Sequence, residues 1–172
     1  MTDLFTFFWN ENSPFSQFYS IEFKIDNKIF NCAEQFMMYS KAIYFNDDDI
    51  ADKILKEQKP GKQKKLGRLV SNFVPEKWNT IAEQVVYKAN YAKFTQNIDL
   101  LEKLFLTDKS ELVEVNPSDT IWGIGLPPNN PKIYDKKNWR GQNKLGVILT
   151  KLREDLKQEP QYKTLIDRLL RQ

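Results

Sequence analysis

The sequence predicts an α+β fold: a single, mainly helical domain with a short β-hairpin and a small sheet. Three observations carry this expectation. Apolar residues recur at three- and four-residue steps through most of the chain, they alternate at Ile21, Phe23 and Ile25 ahead of an Asp26-Asn27 turn, and one short apolar run, ELVEV at 111–115, stops at Asn116-Pro117. With 172 residues, 41% of them hydrophobic and 28% charged, the chain is long enough to bury one core and too short to favour two.

Taken in order, residues 7–19, FFWNENSPFSQFY, are rich in aromatics but broken by Ser13-Pro14 and without period, which predicts an ordered loop. The alternating segment at 21–25 and its return over 28–31 make the hairpin. A helix follows at 33–45, with Glu34, Met37/Met38, Lys41 and Phe45 along one stripe. Asp47, Asp48 and Asp49 suit the start of a short helix over 50–58 that ends before Pro60-Gly61. The basic run from Lys53 to Arg68 has Asp52 and Glu57 interspersed and no aromatics, which reads as a solvated helix face. Pro60-Gly61-Lys62 lacks both the first glycine and the Ser/Thr of a phosphate loop. Pro75 can begin a long helix to Gln96 with Trp78, Ile81/Ala82, Val85, Ala89 and Ala92 inward, and a second runs over 98–106. After the strand at 111–115, residues 127–138 read as a polar loop. Helices follow at 143–157 and beyond Pro160.

Absences narrow the chemistry. The chain has no histidine and one cysteine, Cys32, which closes the Ser-His-Asp and Cys-His routes to a nucleophile, imidazole zinc sites, an internal disulfide and any multi-thiolate metal site. Cys32, just ahead of an apolar helix, reads as a small core residue. No cofactor or metal is expected, and magnesium held by carboxylates would have no motif behind it. A net charge of +3 neither demands nor excludes a nucleic-acid partner. No apolar stretch approaches the length of a membrane span and no leader pattern opens the chain, so the expected location is cytoplasmic, away from membranes.

What is left is carboxylates, lysines and tyrosines. Glu34 and Lys41 share one face of the 33–45 helix two turns apart, about 10 Å at 1.5 Å per residue. Asn31 and Glu34 also fit a capping box, so the carboxylate has a structural as well as a chemical reading. The second dense segment is SDTIWGIGL at 118–126, where Asp119 precedes Trp122 and two glycines. Trp122 offers a flat face for a base or sugar, and Gly123 and Gly125 allow close approach or positive φ. The alternative there is an Asx turn with a core Trp. Together Glu34, Asp119, Lys41 and Trp122 match what cleavage of a glycosidic bond needs: one carboxylate to stabilise the cationic sugar or activate water, and a second acidic group to protonate the leaving atom. Lys41 could instead attack as an amine or pair a phosphate. Arg68, Lys93 and Lys144 could bind phosphate or be solvated.

SPFSQFY at 13–19, FNCAEQFMMYSKAIYFND at 30–47, LGRLV at 66–70, AKFTQN at 92–97, LVEVNPSDTIWGIGL at 112–126 and WRGQNKLGVILTKLRE at 139–154 resemble, in order and spacing, the NADAR (YbiA-like) family. The resemblance covers about residues 7–157, so a NADAR domain over 1–158 with a helical extension at 159–172 is expected. It implies an α+β domain that hydrolyses N-glycosidic bonds, with two substrate classes: ADP-ribosyl-guanine in nucleic acid, and phosphoribosylamino-pyrimidine intermediates of riboflavin synthesis. It implies catalytic roles for Glu34, Lys41, Asp119 and Trp122, and substrate contacts from Ser13, Phe15, Phe18, Arg68, Gly123, Gly125 and Asn143. Asn143 could also cap its helix. The family's usual NLLG is NKLG here, which touches only substrate preference. The partner expected is a ribosylated or ADP-ribosylated base, with nucleic acid as a carrier; a non-catalytic ADP-ribose or NAD-binding sensor is the competing class.

Overall fold

The structure, a computed structural model, describes residues 4–170. Its elements in chain order are β1 (Phe5–Phe8), β2 (Phe23–Ile25), β3 (Lys28–Phe30), α1 (Ala33–Tyr44), α2 (Asp48–Lys56), α3 (Pro60–Gly67), α4 (Pro75–Asn79), α5 (Ala82–Thr95), α6 (Ile98–Leu106), β4 (Glu111–Glu114), α7 (Lys144–Lys157) and α8 (Lys163–Leu170). Short 3-10 turns cover Pro131–Tyr134, Lys136–Asn138 and Pro160–Tyr162. Mostly helices with two small sheets, this is the α+β class expected. The chain forms two compact units, one from Gln17–Asn97 and the other from the segments before and after it. No helix among the described residues is long and apolar enough to cross a membrane.

In the Gln17–Asn97 unit, β2 and β3 form an antiparallel hairpin with Phe23 opposite Phe30. Asp26 and Asn27 turn it with φ of 48° and 64°, the left-handed pair that a two-residue hairpin loop requires. Phe23, Ile25 and Phe30 pack with Ala33 and Phe36 of α1 and Ala89 and Ala92 of α5. The Gln96 side chain accepts from Lys24 N and donates to Lys24 O, both at 2.8 Å, and so closes the free edge of β2. Asp47 caps α2 through Ile50 N (3.1 Å), while its second oxygen takes Ser71 N (2.7 Å) and anchors the segment after α3.

The helix expected from Pro75 to Gln96 is two helices. The Thr80 hydroxyl donates to Lys77 O at 2.7 Å, a local bond that competes with the helical ladder, and α5 starts afresh at Ala82. The basic run after Pro60 is a helix of its own, with Pro60 in the first turn, where its missing N–H costs nothing.

In the other unit, β1 pairs in parallel with β4, Phe5 beside Glu111 and Phe8 beside Glu114. Phe7 and Phe8, read from sequence as loop, are therefore strand. Their partner lies far along the chain, and β1 is only four residues long. The other edge of β4 is covered by side chains: Thr150 Oγ1 accepts from Leu112 N (3.0 Å), Asn143 Oδ1 accepts from Glu114 N (3.0 Å) and Asn143 Nδ2 donates to Leu112 O (3.0 Å). Val113, Val115, Ile124, Leu126 and Ile133 build the core beside this pair, with Phe5, Phe7 and Trp139 against them.

Two buried polar residues have measurable consequences for stability. Asn143, 1% exposed, holds two backbone groups that would otherwise be unsatisfied. Asn143→Ala is expected to cost about 2–4 kcal/mol, seen as a lower urea midpoint at unchanged slope. Lys93 is 0% exposed, and burial holds its amine down at about 7 against an ordinary 10.5. Between these values the unfolded chain binds a proton that the folded chain does not, so this group's contribution to stability improves as pH rises. Measured against Lys93→Met, the wild-type chain should gain up to about 1.4 kcal/mol per pH unit from pH 7 toward 10.5, with a flat difference below pH 7.

Candidate active site

The start of α1 decides which side chains cap it. The expected box joined Asn31 to Glu34; the structure sets it one residue later. Cys32 is the N-cap, its Sγ accepting from Gln35 N at 3.4 Å, and Gln35 Oε1 reaches back to accept from Asn31 N at 2.8 Å. Gln35 Nε2 donates to Ile54 O (3.0 Å), Leu55 O (3.3 Å) and Glu57 O (3.2 Å), tying α1 to the carbonyls at the end of α2. Capping is thus done by Cys32 and Gln35, and the Glu34 carboxylate is not needed for it. Glu34 is nevertheless only 4% exposed, and its backbone N donates to Gln17 O at 2.9 Å. In the first turn of α1 the helix dipole favours the charge of this carboxylate.

Lys41 lies on the same helix, half-buried. Its Nζ donates to Gly67 O at 2.8 Å and sits 3.8 Å from the centre of the Phe73 ring. Burial lowers its pKa; the Glu34 charge offsets part of this and Arg68 adds to it. Glu34 and Arg68 therefore both act electrostatically on Lys41 within a single unit. Arg68 itself is exposed, directly after α3.

Lys93 is the residue that sequence reasoning placed wrongly. Read as a phosphate ligand or a solvated lysine, it is instead enclosed, 5.5 Å from the Tyr19 ring centre and 5.2 Å from that of Phe94. The signal was present: Ala82, Val86, Ala89 and Lys93 recur at four, three and four residues and are all buried, so the lysine lies on the inward stripe of α5. Lys93 and Glu34 both act electrostatically on the buried Cys32 thiol, which burial pushes up to about 11. That thiol is protonated and inert, in keeping with a core residue.

The remaining candidates belong to the other unit, apart from Phe18. Asp119 Oδ1 accepts from Ile121 N (3.0 Å) and Trp122 N (2.8 Å), an Asx turn that fixes the direction of the carboxylate. Trp122 is half-buried, and its carbonyl accepts from Leu145 N at 3.1 Å. Gly123 O accepts from Asn143 N (3.1 Å) and Gly125 N donates to Asp119 O (3.1 Å); Gly125 has φ of 68°, which a side chain would strain. Backbone bonds between 120–124 and 140–145 thus hold this segment along the start of α7.

Asn143 has φ of 51° and no side-chain cap bond, and its amide is committed to β4, so it neither caps α7 nor presents a free amide to a sugar. Phe15 is buried against Phe8, with ring centres 5.8 Å apart, and Ser13 Oγ accepts from Phe15 N at 3.4 Å. Phe18 is half-buried beneath Lys64, whose Nζ is 5.6 Å from the ring centre. Among the described residues no group of three or more Cys, Asp or Glu side chains is placed to hold a metal ion.

Protein irg-1 of Caenorhabditis elegans is 37% identical over 99% of this chain and 88% of its own length. N-glycosidase R617 of Acanthamoeba polyphaga mimivirus is 38% identical over 91% of this chain and 99% of its own. The NMR structure of the Escherichia coli protein YbiA matches with a TM-score of 0.73 and 28% identity, covering 96% of this chain and 89% of that one. Residues 7–157 match the family model described as the NADAR domain, and the chain belongs to the NADAR family.

Proposed function

We propose that this chain is an N-glycosidase that hydrolyses the bond between the anomeric carbon of a ribose, ribose phosphate or ADP-ribose and a base nitrogen. Relatives bearing the name N-glycosidase support the reaction class. The observation that carries it in this chain is the buried Glu34 carboxylate, relieved of capping by Cys32 and Gln35 and sharing a helix with Lys41. The substrates proposed are ADP-ribosyl-guanine in nucleic acid and phosphoribosylamino-pyrimidines, and the compartment is the cytoplasm.

Cleavage leaves positive charge on the anomeric carbon and negative charge on the departing nitrogen. In the proposed mechanism Glu34 stabilises the cationic sugar and orients the attacking water. On the family resemblance, Asp119 is assigned the second carboxylate's role and Trp122 the stacking of the leaving base; Asp119 Oδ1 already accepts two amides, leaving Oδ2 as the oxygen to act. Lys41 keeps its hydrogen bond to Gly67 and its place over Phe73, which suits a cation holding the phosphate or ribose side. If an amine attacks the anomeric carbon, Lys41, whose pKa burial lowers, is the lysine assigned to that step.

The test is release of free ADP-ribose from an oligonucleotide carrying ADP-ribosyl-guanine, and of ribose phosphate from a phosphoribosylaminopyrimidine, followed by mass spectrometry with chelator present. Glu34→Gln should lower turnover by about 10²–10⁴-fold while the thermal midpoint stays near that of wild type. Gln35→Ala should do the reverse, losing about 1–3 kcal/mol of stability but keeping turnover in the folded fraction. Full activity in Glu34→Gln would sink the assignment. Tight ADP-ribose binding by wild type without release from either substrate would instead favour the sensor reading.

A further inference from the structure

Two carboxamides buried in the Gln17–Asn97 unit take no part in the proposed mechanism: Gln17 and Asn90. Asn90 lies on α5, one turn before Lys93. Its Nδ2 donates to Val86 O (2.9 Å) and to Gln17 Oε1 (2.8 Å). Both partners are acceptors, so the Asn90 amide must present its nitrogen to them. Its oxygen, Oδ1, is buried without a hydrogen-bond partner among the described residues. An unpaired interior oxygen costs stability, and an apolar side chain at this position would avoid that cost.

What the arrangement secures is the orientation of Gln17. A carboxamide accepts on one side and donates on the other. With Oε1 held by Asn90, Gln17 Nε2 is left to face α1, where it reaches Met37 Sδ at 4.0 Å. A thioether sulfur at that distance is a weak acceptor, so this NH2 keeps its capacity to donate to a stronger one. Met37 stands three residues after Glu34 and four before Lys41, on one stripe of α1. The Gln17 main chain is tied to the same helix start, since its O accepts from Glu34 N at 2.9 Å. Asn90, at 0% exposure, is closed to any ligand, whereas Gln17 at 8% retains a surface, as Glu34 does at 4%. Contact with a ligand therefore falls to Gln17 and its orientation to Asn90.

In the proposed reaction the ribose that carries the anomeric carbon lies against Glu34. Its ring oxygen and hydroxyls all accept hydrogen bonds, and a donor oriented in advance binds them without the entropy lost in ordering a free amide. We propose that Gln17 is a substrate-binding residue, its Nε2 donating to an oxygen of that ribose, and that Asn90 is the positioning residue that holds the Gln17 amide in this orientation. This deepens the N-glycosidase reading, on which it rests for the place of the ribose.

The test is calorimetric binding of ADP-ribose, and of ADP, which lacks the distal ribose, to the full chain as wild type, Gln17→Met, Asn90→Leu and the double variant. ADP-ribose affinity should fall at least fivefold in Gln17→Met and at least threefold in Asn90→Leu. The double variant should bind within twofold of Gln17→Met, because Asn90 acts through Gln17 and the two effects do not add. ADP affinity should stay within twofold throughout, and the thermal midpoint of Asn90→Leu should not fall, since the unpaired oxygen is gone. Unchanged ADP-ribose affinity in folded Gln17→Met overturns the contact, as does an equal loss for ADP or an absence of ADP-ribose binding by wild type. Effects that multiply in the double variant, or a lower midpoint with unchanged affinity in Asn90→Leu, overturn the positioning role. Asn90→Leu leaves Gln17 in place, so its affinity still decides the proposal if Gln17→Met fails to fold. Wild type that binds ADP-ribose but cleaves neither substrate would defeat the glycosidase reading, and the binding cycle would still decide the roles of Gln17 and Asn90.

Discussion

The Gln35 side chain is the interaction on which the candidate site depends. Its oxygen accepts from Asn31 N and its nitrogen donates to three carbonyls where α2 ends, so one amide joins the hairpin exit, the first turn of α1 and the last turn of α2. Each of those backbone groups would be costly to bury alone. Because Gln35 meets them, its neighbour Glu34 can be a buried acid without being a cap. A single residue's shift in the capping register gives the structural work to the carboxamide and leaves the carboxylate out of the cap.

Burial then sets the electrostatics around Glu34. Lys93 and Cys32 are both moved toward their neutral forms by removal from water, Lys93 down to about 7 and Cys32 up to about 11. Lys41, half-buried and bonded to Gly67 O, is also lowered by burial, with the Glu34 charge opposing the shift. Within one unit the protein thus holds two lysines that burial moves toward the neutral amine and a thiol with no reactivity to compete with them.

In the other unit rigidity comes from backbone bonds and from short side chains standing in for a strand. Asn143 and Thr150 cover the edge of β4 as Gln96 covers that of β2. Small sheets of two strands cannot satisfy both edges by pairing, and side-chain amides and hydroxyls close them instead. The Asp119 turn is held in the same way, by two backbone amides that fix the direction of its carboxylate.

The sequence by itself determined the helices with strong period, the hairpin with its Asp26-Asn27 turn, the strand at Glu111–Glu114 and, through the absence of histidine, the exclusion of any chemistry that needs an imidazole. These are local properties, decided by spacing and residue type. Strand β1 was hidden because its partner stands far along the chain, and the break at Thr80 because a hydroxyl competes with a ladder that the apolar pattern says should continue. The tertiary structure alone decided that Gln35 rather than Glu34 completes the cap, that Asn143 serves β4, that Lys93 is enclosed, and that Phe18 and Phe73 come to lie beneath lysines. Each depends on which groups the fold removes from water and which partners it brings there, and no period in the sequence records that.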